Sequence, residues 1–140
     1  MCQVSVFFPM MQFSMPPWEY LSKENLAICL DMAKIHKKFS SQIIEEVNKS
    51  RFSGEPIVRH LAYEFPDENF EKITDCFMFS DKILVAPVLK KGEVTRTVRL
   101  PSGWLWKYVD GTVYEGGQTV TVDAPLNVLP YFEKIRKKEL

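Results

Sequence analysis

The chain has 140 residues, 46% hydrophobic and 26% charged, a size and composition suited to one globular domain with a real core and unlike a disordered chain. Eighteen basic residues balance eighteen acidic ones, so the net charge is zero and the field that draws proteins onto nucleic acid or anionic membranes is missing. Three widely spaced cysteines and two histidines provide neither a disulfide framework nor zinc-ligand spacing, so no metal and no cofactor is expected.

In chain order, Met1 to Pro9 reads as a short strand. Val4, Val6 and Phe8 alternate against Ser5 and Phe7, so both faces are apolar, as in parallel strands covered by helices. Pro16-Pro17 marks a turn. Ser22 is a candidate N-cap, with Glu24 complementing the positive helix end. Ile28, Met32, Ile35, Phe39, Ile43 and Val47 then recur at three- and four-residue steps, predicting one long amphipathic helix from Ser22 to about Ser50. Glu45 and Glu46 fall on its solvated side, His36 at the edge of the apolar stripe, and Ser53-Gly54 ends it.

Beyond residue 55 the period changes to two. Ile83 to Val88 is an apolar run; Val94, Val98 and Leu100 share a face, as do Trp104, Trp106 and Tyr108, and then Val120 and Val122. Lys91-Gly92, Pro101-Ser102-Gly103, Asp110-Gly111 and Gly116-Gly117 separate these runs, and Asp-Gly suits a two-residue type I′ hairpin. Short strands at this spacing predict an antiparallel sandwich. The orphan strand at the start needs neighbours that the rest of the first half does not supply, so a fragment of something larger is expected.

The segments "GEPIVRHLAYEFPD", "DCFMFSDKILVAPVLKKGEVTRTVRLP" and "GWLWKYVDGTVYEGGQTVTVDAPLNVLPYF" resemble, in order and spacing, the C-terminal part of glycoside hydrolase family 31. The pattern running through Asp75, Met78, Asp81, Leu84 and Val85 to Val88 is the most specific part. The resemblance implies an α/β plus all-β chain: residues 1–54 as the last β/α unit of a (β/α)8 barrel, and residues 55–140 as the β-sandwich that follows it. Family members are retaining α-glycosidases that use two aspartates, one as nucleophile and one as general acid/base. Both lie on earlier barrel strands, upstream of Met1, so no catalytic residue is expected within the chain and the rest of the barrel is its implied partner.

Barrel enzymes work at the C-terminal ends of their strands, which places "PMMQFSMPPW" at the mouth of a sugar pocket. Many family members carry an arginine there and, two residues later, a histidine that contacts the sugar. Gln12 and Ser14 occupy those positions, and they are the candidate substrate-binding residues, for an α-linked oligosaccharide or glycan. An amide and a hydroxyl satisfy different sugar hydroxyls than a guanidinium and an imidazole, so the implied substrate is an α-glucoside or an α-galactoside. The wording "QFSMPPW" resembles an animal subgroup of the family.

Asp67, Asp75, Asp81, Asp110 and Asp123 lie in or beside turns, where carboxylates cap backbone amides. His60 sits where the two parts join. Trp104, Trp106 and Tyr108 carry the alternative reading, a non-catalytic carbohydrate-binding or protein-interaction module, since flat rings can stack on sugars; the competing role is core packing. No stretch approaches the ~20 apolar residues of a membrane span, and the start lacks a signal-peptide pattern. The Asn48-Lys49-Ser50 sequon and the "KKEL" ending point toward the secretory pathway or the endoplasmic reticulum lumen without fixing a compartment.

Overall fold

A computed structural model describes residues 2–136, so the "KKEL" ending lies outside the described residues. The chain divides into two compact units, Met1–Ile57 and Val58–Leu140.

The first unit is helical. Its elements are α1 (Cys2–Ser5), α2 (Pro17–Tyr20), α3 (Lys23–Lys38) and α4 (Ser40–Ser53). The strand expected at Met1 to Pro9 is absent; the described residues there form one helical turn followed by bends. The burial pattern explains the difference. Gln3, Val6 and Phe7 are the buried residues of this stretch, at the i, i+3, i+4 spacing of a helix rather than the i, i+2 of a strand. A strand also requires a ladder partner, and none of the described residues of this unit is in a strand.

Ser22 caps α3 as expected, its hydroxyl accepting from the Asn25 amide at 3.3 Å. The expected single helix is interrupted at Phe39, whose backbone leaves helical geometry at φ −90°, ψ 4°. Hydrogen bonding continues across the break, from Phe39 N–H to the Ile35 carbonyl at 3.1 Å and from Ile43 N–H to the Phe39 carbonyl at 2.9 Å. Met32, Phe39 and Ile43 are buried, and Phe7 packs on Phe39 with ring centroids 4.8 Å apart. The stripe then shifts by one position: Glu46 is buried and Val47 is exposed, the reverse of the expectation. The Glu46 carboxylate is held by Lys49 at 3.0 Å. α4 stops at Gly54, in the left-handed conformation at φ 77°, where a glycine avoids the Cβ clash.

The second unit holds β1 (Val58–Arg59), α5 (Leu61–Glu64), a 3₁₀ turn (Pro66–Glu68), β2 (Phe77–Phe79), β3 (Ile83–Val85), β4 (Thr95–Arg99), β5 (Leu105–Tyr108), β6 (Val113–Glu115), β7 (Thr119–Asp123) and β8 (Tyr131–Ile135). These form a six-stranded sheet in the order β1-β2-β3-β8-β5-β6 and a two-stranded sheet β4-β7, antiparallel throughout. β7 alternates strictly, with Val120 and Val122 inward and Thr119, Thr121 and Asp123 outward. On the outer face the hydroxyls of the paired Thr97 and Thr121 meet at 2.9 Å. Val98, Val120 and Val122 pack into one core with Met78, Leu84, Trp106, Tyr108 and Phe132 from the larger sheet, which is the arrangement of a β-sandwich.

Two local expectations are corrected. Val94, placed with Val98 and Leu100, lies before β4 and is exposed. The β5–β6 connection spans Val109 to Thr112 instead of two residues. Gly111 takes φ 95° but Asp110 does not take positive φ, so the type I′ turn cannot form. Asp110 instead accepts from the Thr112 amide at 2.7 Å, and the Tyr108 amide donates to the Thr112 carbonyl at 2.8 Å to close the wider loop.

Candidate functional site

Gln12 and Ser14 lie in the irregular segment between α1 and α2, both exposed. The chain runs on through Pro16, whose β-region backbone leads into α2 with Pro17 at its first position, where a missing amide hydrogen costs nothing. Both side chains line the same two hollows. One, of about 600 Å³, also has walls from Phe13, Trp18, Leu26 and Cys29. The other, of about 500 Å³, also has walls from Cys2, Phe8 and Met15. The structure thus brings the two nominated residues to a shared concave surface within one unit.

Chemically this surface is mostly apolar with two adaptable polar groups. A Gln amide both donates and accepts, and a Ser hydroxyl does the same, so together they can satisfy two or three neutral hydroxyls and carry no charge. Trp18, which sequence reasoning left unassigned, is 70% exposed and contributes a flat ring to the larger hollow. The signal that could have found it is its place directly after the Pro16-Pro17 turn, at the start of a single-turn helix that buries none of its residues.

Two other reactive side chains of this unit are tied to their neighbours. His36 Nδ1 lies 2.7 Å from the Val6 carbonyl, so that nitrogen carries the proton and donates, tying the chain after α1 to α3. Burial, followed by the proximity of Cys29, pushes the Cys2 thiol up to about 11, leaving it protonated at neutral pH.

In the second unit the aromatic strand is consumed by the core. Trp106 is fully buried and its indole N–H donates to the Pro101 carbonyl at 2.9 Å. Tyr108 is buried and donates to the Asp123 carbonyl at 2.6 Å, a bond from the larger sheet to the last residue of β7; burial first, and then the nearby Asp110, push its hydroxyl up to about 12. Trp104 is half-buried, with the Lys134 ammonium 4.5 Å from the centre of its ring. Two of these three rings are buried in the core and the third is half-buried against a lysine, which favours packing over stacking on a sugar. Asp75 is ion-paired with Arg96, which also donates to the Asp75 carbonyl at 3.0 Å. His60 caps α5, accepting from the Ala62 amide at 3.1 Å. Among the described residues no group of three His, Cys, Asp or Glu side chains could hold a metal ion, and no helix is long and apolar enough to cross a membrane.

Residues 54–135 match the model of the glycosyl hydrolase family 31 C-terminal domain. The chain belongs to this family. It is 34% identical over 128 residues to the mouse myogenesis-regulating glycosidase, covering 90% of this chain and 18% of that protein. It is 31% identical over 140 residues to the SITS-binding protein of Tetronarce californica, covering 97% and 20%. The chain thus spans about a fifth of the length of these relatives. Among solved structures it resembles a family 31 α-xylosidase from a soil metagenome, complexed with xylose, at TM-score 0.83 and 28% identity, covering 94% of this chain and 23% of that one. It also resembles the Flavobacterium johnsoniae dextranase at TM-score 0.84 and 32% identity, covering 95% and 17%. The first of these relatives fits the animal subgroup that "QFSMPPW" resembles.

Proposed function

We propose that this chain serves as the C-terminal portion of a retaining α-glycosidase that hydrolyses O-glycosyl bonds of an α-linked oligosaccharide or glycan. In this reading residues 1–54, helical in this structure, belong to the last β/α unit of a (β/α)8 barrel, whose strand needs the neighbouring strands of that barrel to form, and residues 55–140 form its supporting β-sandwich. The nucleophile and the acid/base carboxylate come from outside the chain, and Gln12 and Ser14 form part of the rim of the pocket. The observation that carries the reading is the convergence of family membership with the shared concave placement of Gln12 and Ser14.

The role of the pair is selection. Two neutral groups cannot form the charge-assisted bonds of an arginine, so they favour a sugar whose hydroxyls match an amide and a hydroxyl, and each mismatched buried polar group costs ~1–3 kcal/mol. Trp18 supplies an apolar surface beside them, suited to a ring face.

The test uses a longer protein that carries this chain. Its kcat/KM should be measured against aryl α-glucosides and α-galactosides, with Gln12→Ala and Ser14→Ala alongside. Each substitution should lower kcat/KM by about 5- to 150-fold for the preferred sugar, the conversion of ~1–3 kcal/mol, and by less for the other. Equal activity of both variants on both sugars would remove the pair from the pocket. The 140-residue chain alone should hydrolyse neither substrate; activity that survives controls for contamination would overturn the division of labour.

A further inference from the structure

The sequence spacing of Cys2 and Cys29 gives no reason to pair them, yet the fold does. α1 packs against α3, and the His36 to Val6 hydrogen bond of 2.7 Å fixes the chain just beyond α1 to the same helix. Cys2 lies on α1 and Cys29 on α3, and both line the smaller hollow. Cys29 is near enough to Cys2 to act on its thiol, raising it further after burial has done so. Neither is in a disulfide, and both are partly accessible, whereas Cys76 is buried in the other unit.

We infer that Cys2 and Cys29 are a dithiol that closes reversibly to a disulfide, cross-linking α1 to α3 beside the hollow that Gln12 and Ser14 line. Thiols on two packed helices that line one hollow can be brought by side-chain rotation toward the ~2 Å of a sulfur–sulfur bond. The oxidant is a low-molecular-weight disulfide of the glutathione class. The thiolate of one cysteine attacks it, forming a mixed disulfide and releasing one small thiolate. The thiolate of the other then attacks the protein sulfur and releases the second. Two protein thiols and one small disulfide become one protein disulfide and two small thiols, and the two protons end on the leaving thiolates.

The raised Cys2 thiol makes thiolate scarce at neutral pH, so closure is slow there and accelerates as pH rises. The bond pins the segment that leads to Gln12 and Ser14. The inference stands whether or not those two residues bind a sugar.

Trypsin places the three cysteines in separate peptides: Met1–Lys23, Glu24–Lys34 and Ile73–Lys82. The native protein is incubated with oxidised glutathione, alkylated, digested without reduction and mapped by mass spectrometry. The expected result is a linked pair of the first two peptides that dithiothreitol separates, with the third unlinked and alkylated only after denaturation. In C29S the link should vanish and Cys2 should carry a glutathione adduct. Glutathione adducts on both Cys2 and Cys29 of the unsubstituted protein with no link between them, or a link that involves Cys76, would overturn the inference.

Discussion

Replacing Trp106 separates a packing role from a ligand role for the aromatic strand. Its side chain is fully buried, lies edge-on to Phe65 with centroids 6.2 Å apart, and spends its single polar atom on the Pro101 carbonyl at 2.9 Å. Trp106→Ala removes the largest fully buried side chain of the chain and leaves a cavity, a change that costs ~3–5 kcal/mol. It also strands the buried Pro101 oxygen. Trp106→Phe restores much of the volume but not the donor, so its cost should approach the ~1–3 kcal/mol of an unsatisfied buried acceptor plus a small packing loss. Trp104→Ala should cost less than Trp106→Ala, because that ring is only half-buried and its contact with the Lys134 ammonium is worth ~0.5–2 kcal/mol. Urea unfolding followed by far-UV circular dichroism measures the three losses, and amide exchange in β5 and β8 assigns them to the sandwich. Glycan-array binding is recorded on the same samples. The expected order is Trp106→Ala, then Trp106→Phe and Trp104→Ala, with no glycan binding to lose in any of them. A Trp106→Ala protein within ~1 kcal/mol of the parent, or one that keeps its stability and loses glycan binding, would refute the packing argument and revive the carbohydrate-binding module.

Three further outcomes follow from the same structure. Gly116→Ala would place a Cβ 2.0 Å from the Pro101 carbonyl oxygen, a backbone atom that cannot swing aside, so the β6–β7 turn must move and the melting temperature should fall well below that of Gly103→Ala. At Gly103 a Cβ meets nothing, and only the φ of 81° opposes it, at ~1–2 kcal/mol. Asp75→Asn tests the ion pair with Arg96: burial raises the carboxyl, but the hydrogen bond and charge of Arg96 outweigh it and hold the group below the usual carboxylate range. The pair therefore stabilises fully above the unfolded value of ~3.9 and loses that contribution as pH falls through the lower folded value, so the stability gap between parent and variant should be widest at neutral pH and close in acid. Salt should shrink it as well, because the Asp75 side chain is 46% exposed; a gap that widens on acidification would exclude the assignment.

Much of the sandwich could be read from residues because its signal is local. Alternation in Thr119 to Asp123 places Val120 and Val122 inward, and any antiparallel partner satisfies it. The Ser22 cap and the Gly54 stop are likewise set by atoms within one turn of themselves. Met1 to Pro9 failed for a different reason. Apolar residues are so dense there that both the two-residue and the three-to-four-residue periods fit, and only the burial of Gln3 with Val6 and Phe7 decides between them. The Phe39 break is invisible in a stripe whose spacing stays helical on both sides of it.

The site residues follow the opposite logic. Gln12 and Ser14 sit in a segment with no regular element, so no period could nominate them, and they came to notice only as departures from the arginine and histidine that the family resemblance implies. Cys2 and Cys29 needed still more, because their proximity exists only once α1 lies on α3. What composition and periodicity reveal is what buries itself. Groups proposed to select a sugar or to exchange a disulfide must stay reachable, and so they fall where burial leaves no pattern. In this chain that is the stretch from Met10 to Pro16 and the thiols beside it, where Met10 and Met15 are exposed and no strand or helix claims the backbone.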